Sequence, residues 1–225
     1  MNKTIIPVIH FDSEAQAMRN AARAFDAGCD GVFLIHMEGL NDLLTPVALR
    51  MKSRWPEKLV GINYLGEDPA KALHANVANG LDMTWTDLQL THSSNAPWTC
   101  AAMIHAALLE APSHRFFSGV AFKHQRPEPN PETAARMADK FGFVATTSGV
   151  ATGAAAEVEK VARMREALGD APLAIASGIT PENVHKYVPY VSHILVATGV
   201  SESFHEFDYE KLHRMRSICD RRVSQ

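Results

Sequence analysis

The stretch from Leu173 to Ser201 holds two short apolar runs, Leu173-Ala-Ile-Ala-Ser177-Gly178-Ile-Thr180 and Ile194-Leu-Val-Ala-Thr198-Gly199-Val200-Ser201, each ending in a glycine-bearing turn of small residues. The first leads into Thr180-Pro181-Glu182-Asn183, which reads as a helix start: a capping oxygen, proline at the first position and an acidic first turn. Consecutive strands that end this way, late in an alternating chain, are what a (β/α)8 barrel uses to hold a phosphate. Glycine lets the backbone approach the anion, and free N–H groups at a helix start point at it.

Outward from this stretch the same alternation runs through the chain. Strands are predicted at Ile5–Ile9, Gly31–Ile35, Leu59–Asn63, Met83–Thr86, Phe117–Phe122, Phe143–Thr147, Leu173–Ser177 and His193–Ala197. Helices are predicted near Ser13–Ala27, Leu40–Arg54, Asp68–Asn79, Pro97–Glu110, Pro131–Phe141, Ala154–Leu168, Pro181–Val188 and Asp208–Cys219. Ala27-Gly28-Cys29-Asp30-Gly31 and Asn79-Gly80-Leu81-Asp82 look like two copies of one helix-to-strand connection. A doubly wound open sheet would place its glycine-rich phosphate turn after the first strand. That turn here, Ile9-His10-Phe11-Asp12-Ser13, has no glycine. The chain is therefore read as α/β, a single-domain (β/α)8 TIM barrel spanning residues 1–225.

Bulk properties agree. The 225 residues suit one barrel, and 46% apolar residues supply a core. A formal net charge of −3 with both signs dispersed gives no nucleic-acid or membrane surface. Cys29, Cys100 and Cys219 are widely spaced, which argues against a disulfide scaffold or zinc knuckle and fits a reducing cytosol. No signal-peptide pattern follows Met1 and no apolar run reaches membrane-spanning length, so a soluble cytoplasmic protein is expected. Its size is compatible with a homo-oligomer.

Barrel active sites lie at the carboxyl ends of the strands. There the sequence offers His10, Asp12, His36, Glu38, Asn63, Trp85, Asp87, Lys123, His124, Thr147, Ser148, Gly149, Ser177, Gly178, Thr198, Gly199 and Ser201. Period-two alternation in Phe117-Ser-Gly-Val-Ala-Phe-Lys123 puts Gly119, Ala121 and Lys123 on the barrel side, and Val120 with Phe122 toward the helices. Lys123 then binds an anion or acts as an amine; the structural alternative is an ion pair with Asp87 across the barrel. The phosphate is placed on Thr147, Ser148, Gly149, Ser177, Gly178, Thr198, Gly199 and Ser201, with Asn63 and Trp85 holding the rest of the substrate. Lys123, His124 and Asp87 are the candidates for charge stabilisation and acid–base work.

No cofactor is assigned. As an alternative, His10-x-Asp12 and His36-x-Glu38 could hold a divalent ion for a metal-dependent hydrolase. A third reading is a barrel that binds a phospho-ligand or partner without turnover, as a regulatory or assembly protein.

Over roughly Ile6 to Arg214 the chain resembles the BtpA family (BtpA/SgcQ-like) of barrel enzymes. The resemblance rests on Val60-Gly-Ile-Asn63, Val120-Ala-Phe-Lys123-His124, Thr147-Ser-Gly-Val-Ala-Thr-Gly153 and Ser177-Gly-Ile-Thr-Pro-Glu-Asn-Val184. It implies a closed barrel with a phosphosugar-like pocket and chemistry of the phosphoribosyltransferase or phosphoribosylanthranilate isomerase type. The chain departs from that pattern at Ile35-His36-Met37-Glu38, at Phe11-Asp12-Ser13, and at Trp85, where an asparagine is usual. Trp85 suits stacking on a planar base.

Overall fold

Eight runs of apolar residues form eight parallel strands, and a computed structural model closes them into one barrel in sequence order, with β8 pairing back onto β1. The structure describes residues 3–95 and 99–221. The strands are β1 (Thr4–His10), β2 (Gly31–Ile35), β3 (Leu59–Asn63), β4 (Met83–Thr86), β5 (Arg115–Gly119), β6 (Phe143–Thr147), β7 (Leu173–Ala176) and β8 (His193–Val196). The surrounding helices are α1 (Glu14–Asp26), α2 (Leu44–Arg54), α3 (Pro69–Ala78), α4 (Thr99–Glu110), α5 (Pro131–Lys140), α6 (Val158–Leu168) and α7 (Tyr209–Arg221). The expected start of α4 at Pro97 lies outside the described residues. Among those residues no helix is long and apolar enough to cross a membrane.

The helix starts follow their capping chemistry. Asp68 accepts from the Ala70 and Lys71 amides at 3.0 Å, Asn130 from Thr133 at 2.9 Å and Ser13 from Gln16 at 3.3 Å. The two look-alike connections are copies at the level of hydrogen bonds. Gly28 donates to Phe25 and Cys29 to Ala24, as Gly80 donates to Val77 and Leu81 to Asn76. Asp30 then reaches the Ile5 amide and Asp82 the Val60 amide, both at 2.8 Å, each with a cation beside it, Arg216 or Lys52.

Two predicted helices differ. Pro181–Val188 is not an α-helix: after β7 the chain makes a turn in which Thr180 and Asn183 bond one another, then a 3-10 segment, Val184–Lys186. Pro189 leaves that run less than the length at which an α-helix sustains itself. The residues 154–157, expected in a helix, instead run outside any helix with the Ala154–Ala155 backbone against Gly149 and Gly178, and α6 starts at Val158.

Inside the barrel, Ile6, Val8, Phe33, Met83, Trp85, Phe117 and Leu195 pack against one another. Gly61 makes this packing possible: a Cβ there would lie 2.6 Å from the Phe33 ring. His193 sits at the bottom of the same interior, edge-on to Phe117, with Nδ1 2.8 Å from Ser192 Oγ. Burial, reinforced by the positive charge of Arg115, lowers its pKa to about 4 from an ordinary 6.5. Its neutral form is the folded form, so this contribution is complete above pH 6.5 and is lost as the pH falls toward 4. That drop should cost about 3 kcal/mol. Urea unfolding of His193→Gln across this range should show a flatter loss; a slope equal to the parent's would refute the assignment.

Candidate active site

The carboxyl ends of the strands open on one cavity of about 150 Å3. Inward side chains of β1, β2, β4, β7 and β8 (Val8, Ile35, Trp85, Ala176 and Leu195) make its floor. Asp87, Lys123, His10, Thr152, Ser177 and Thr198 supply its polar side chains.

On one side the three loops after β6, β7 and β8 interlock. The Gly153 amide donates to Ser177 Oγ at 3.1 Å. Ser177 and Gly178 both take left-handed backbone angles, φ 69° and 67°. A Cβ on Gly178 would meet the Ala154 backbone at 2.4 Å, and one on Gly199 would meet the Ile179 carbonyl oxygen at 1.9 Å. Only glycine allows these loops to close. Among the described residues the amides of Gly178 and Gly199 have no protein acceptor, and both residues line the cavity.

Lys123 reaches the cavity by a route that alternation along a strand does not describe. β5 ends at Gly119, and the chain then turns through Ala121 (φ 48°) and His124 (φ 62°). Phe122 therefore points into the barrel mouth and packs edge-on to Trp85, contrary to the expected outward position. Phe117 faces inward as well, so the inner face of this strand is not reserved for small residues. The turn is held from below. The Lys123 amide donates to Ser148 Oγ at 2.8 Å, and Lys160 Nζ from α6 donates to the carbonyls of Ser148 (2.6 Å) and Ala121 (3.2 Å). Lys160 has lost water to make these bonds, and burial lowers its pKa.

The Lys123 ammonium donates to Thr152 Oγ1 at 3.3 Å and makes no direct ion pair with Asp87. Asp87 is held by Asn63 Nδ2 at 3.4 Å and, through its carbonyl, by Gln125 Nε2 at 2.6 Å. Burial raises its pKa; the charges of Lys123 and His124 and the Asn63 bond only partly oppose this. A carboxyl desolvated in this way beside an ammonium can take and return a proton nearer neutrality than a surface aspartate.

Of the residues proposed from sequence, His10, Trp85, Asp87, Lys123, Ser177, Gly178, Thr198 and Gly199 line the cavity. The others serve elsewhere. Thr147 is on the outer side of β6, bonded to the Ala121 carbonyl, because Val144 sets the inward parity of that strand. Ser148 is buried under the Lys123 turn, and Gly149 packs against Ala154 instead of facing the mouth. Ser201 spends both its amide and its hydroxyl on the loop it belongs to. His124 is exposed on the turn, and Asn63 stands behind Asp87.

His10, Asp12, His36 and Glu38 do not converge. His10 stacks on Phe204 with centroids 4.3 Å apart, Asp12 and Glu38 are exposed, and His36 Nδ1 accepts from the Glu38 amide. Among the described residues no group of three His, Cys, Asp or Glu side chains is placed to hold a metal ion. The expected ligand set for a metal-dependent hydrolase is thus not assembled.

Sequence reasoning missed Phe122 and Phe204 as lining residues. Phe204 had one signal, an aromatic set between the polar Ser201-Glu202-Ser203 and His205-Glu206. That loop is fastened over the mouth: Asn20 bonds the backbone of His205 and Phe207, His10 Nδ1 donates to the Phe204 carbonyl at 3.2 Å, and Arg23 pairs with Glu202 and Glu206.

No family model matches the chain, and no curated protein matches it. Solved structures do. Thiamine phosphate pyrophosphorylase from Pyrococcus furiosus is 14% identical with a TM-score of 0.68, over 97% of this chain and 96% of that one. 3-Hexulose-6-phosphate synthase from Salmonella typhimurium is 11% identical at 0.71, over 98% and 99%. Phosphoribosylanthranilate isomerase from Thermotoga maritima is 14% identical at 0.66, over 97% and 98%. At such identities the likeness establishes the fold, a TIM barrel, and nothing finer.

Proposed function

We propose that this barrel is an enzyme acting on a small phosphorylated compound of the sugar- or ribosyl-phosphate kind. The observation that carries the reading is the pair of free amides at Gly178 and Gly199, on the same cavity as Lys123 and Asp87. Two N–H groups and an ammonium suit a phosphate, while Asp87 is positioned for proton transfer on the carbon skeleton. The names of the similar structures, which speak of phosphorylated compounds, and the resemblance to the BtpA family support it. An isomerase or phosphoribosyl-transfer step fits this donor set best, because both need an anchored phosphate and one acid–base group.

Calorimetric titration with orthophosphate and ribose 5-phosphate tests the reading. Both should bind in the millimolar range or tighter, and Lys123→Ala should weaken binding about 10- to 100-fold, the worth of one charge-assisted contact. Failure of every phosphorylated ligand to bind at millimolar concentration, or an unchanged affinity in Lys123→Ala, would overturn it.

A further inference from the structure

The cavity has two unlike walls. The loops after β6, β7 and β8 bring amides and hydroxyls. The opposite wall is Ile35, Met37, Leu65, Trp85 and Phe122, with Phe204 over the rim. On that side the polar groups are Asp87, His10 and the unpartnered Trp85 indole Nε1, with Lys123 Nζ 5.8 Å from the Phe122 ring. His10 is already engaged, its Nδ1 bonded to the Phe204 carbonyl and its ring stacked on Phe204.

A polyhydroxylated chain placed against this wall would leave the hydroxyls that face Ile35, Met37, Leu65 and Phe122 without partners, and each such group is costly to bury. A flat, uncharged ring has no such cost and gains from covering aromatic and aliphatic surface. We infer that the group carried by the phosphorylated substrate against this wall is a single uncharged aryl or heteroaryl ring, and that an open polyol phosphate is not the preferred ligand. The inference rests on the phosphate reading above and narrows its substrate class.

The test titrates the full chain with benzyl phosphate, ribose 5-phosphate and orthophosphate. Benzyl phosphate should bind at least about tenfold more tightly than ribose 5-phosphate. Ribose 5-phosphate binding as tightly or more tightly would overturn the ring assignment while leaving the phosphate reading standing. Failure of all three would remove both. Leu65→Asn, checked for folding by its thermal transition, should weaken benzyl phosphate about tenfold and orthophosphate less than about twofold, since it spoils the apolar wall and leaves the amides alone. Equal losses for the two ligands would also overturn the assignment, as would unchanged binding of benzyl phosphate. If Leu65→Asn does not fold, Met37→Asn, at an exposed loop position on the same wall, replaces it with the same ordering of losses expected.

Discussion

Asp87→Asn is expected to lower turnover of the phosphorylated substrate by about 10²- to 10⁴-fold, the usual range for removing a placed acid–base group, while leaving the barrel at least as stable as the parent at neutral pH. The two halves of this expectation share one cause. Burial raises the Asp87 pKa, so the folded chain holds that proton more tightly than the unfolded chain does. The stability this gives is complete below the ordinary carboxylate pKa and is lost as the pH rises through the folded-state value. At neutral pH the ionised carboxylate is therefore a burden, which the neutral amide removes. Melting curves of the two proteins should diverge in favour of Asp87→Asn as the pH rises. A variant that is less stable at pH 7 and retains full turnover would show that Asp87 is a structural carboxylate.

Gly199→Ala is expected to destabilise the fold by on the order of 4 kcal/mol, at the severe end for one methyl group. A Cβ there would lie 1.9 Å from the Ile179 carbonyl oxygen, a backbone atom that cannot rotate away. The loops after β7 and β8 would have to part, and the Gly199 amide would leave its place beside Gly178. Gly153→Ala is the control. Gly153 has φ 79° with open space around its Cβ position, so it should lose only about 1–2 kcal/mol, from the left-handed backbone alone. Urea unfolding separates them. Equal losses at the two sites would mean that close packing of the loops is not what Gly199 provides.

Local chemistry written in the sequence decided the repeating parts of the molecule. The apolar runs at β2, β3, β4 and β6 are buried on both faces along almost their whole length, and their boundaries agree with the predicted ones to the residue. Ser13, Asp68 and Asn130 cap their helices because capping needs only atoms within three residues. The two glycine–aspartate connections are equally self-contained, and their recurrence signalled a closed array. Glycine in the last two strand-to-loop turns also marked two residues, Gly178 and Gly199, that line one cavity.

The position of each group around the mouth was decided by the tertiary structure, because it depends on contacts between loops distant in sequence. Lys160 and Ser148 pull the chain after Gly119 into a turn, which puts Phe122 inward and Lys123 at the rim. No strand period encodes that bend. Gly149 and Gly178 carry similar small-residue neighbours and both pack against the Ala154 backbone, yet only Gly178 also lines the cavity. Of the residues that looked like metal ligands, His10 is engaged by Phe204, which stacks on it from the far end of the chain, while Asp12 and Glu38 are exposed. Residue type and spacing set what each segment could offer; close packing between segments chose which of those offers face the same space.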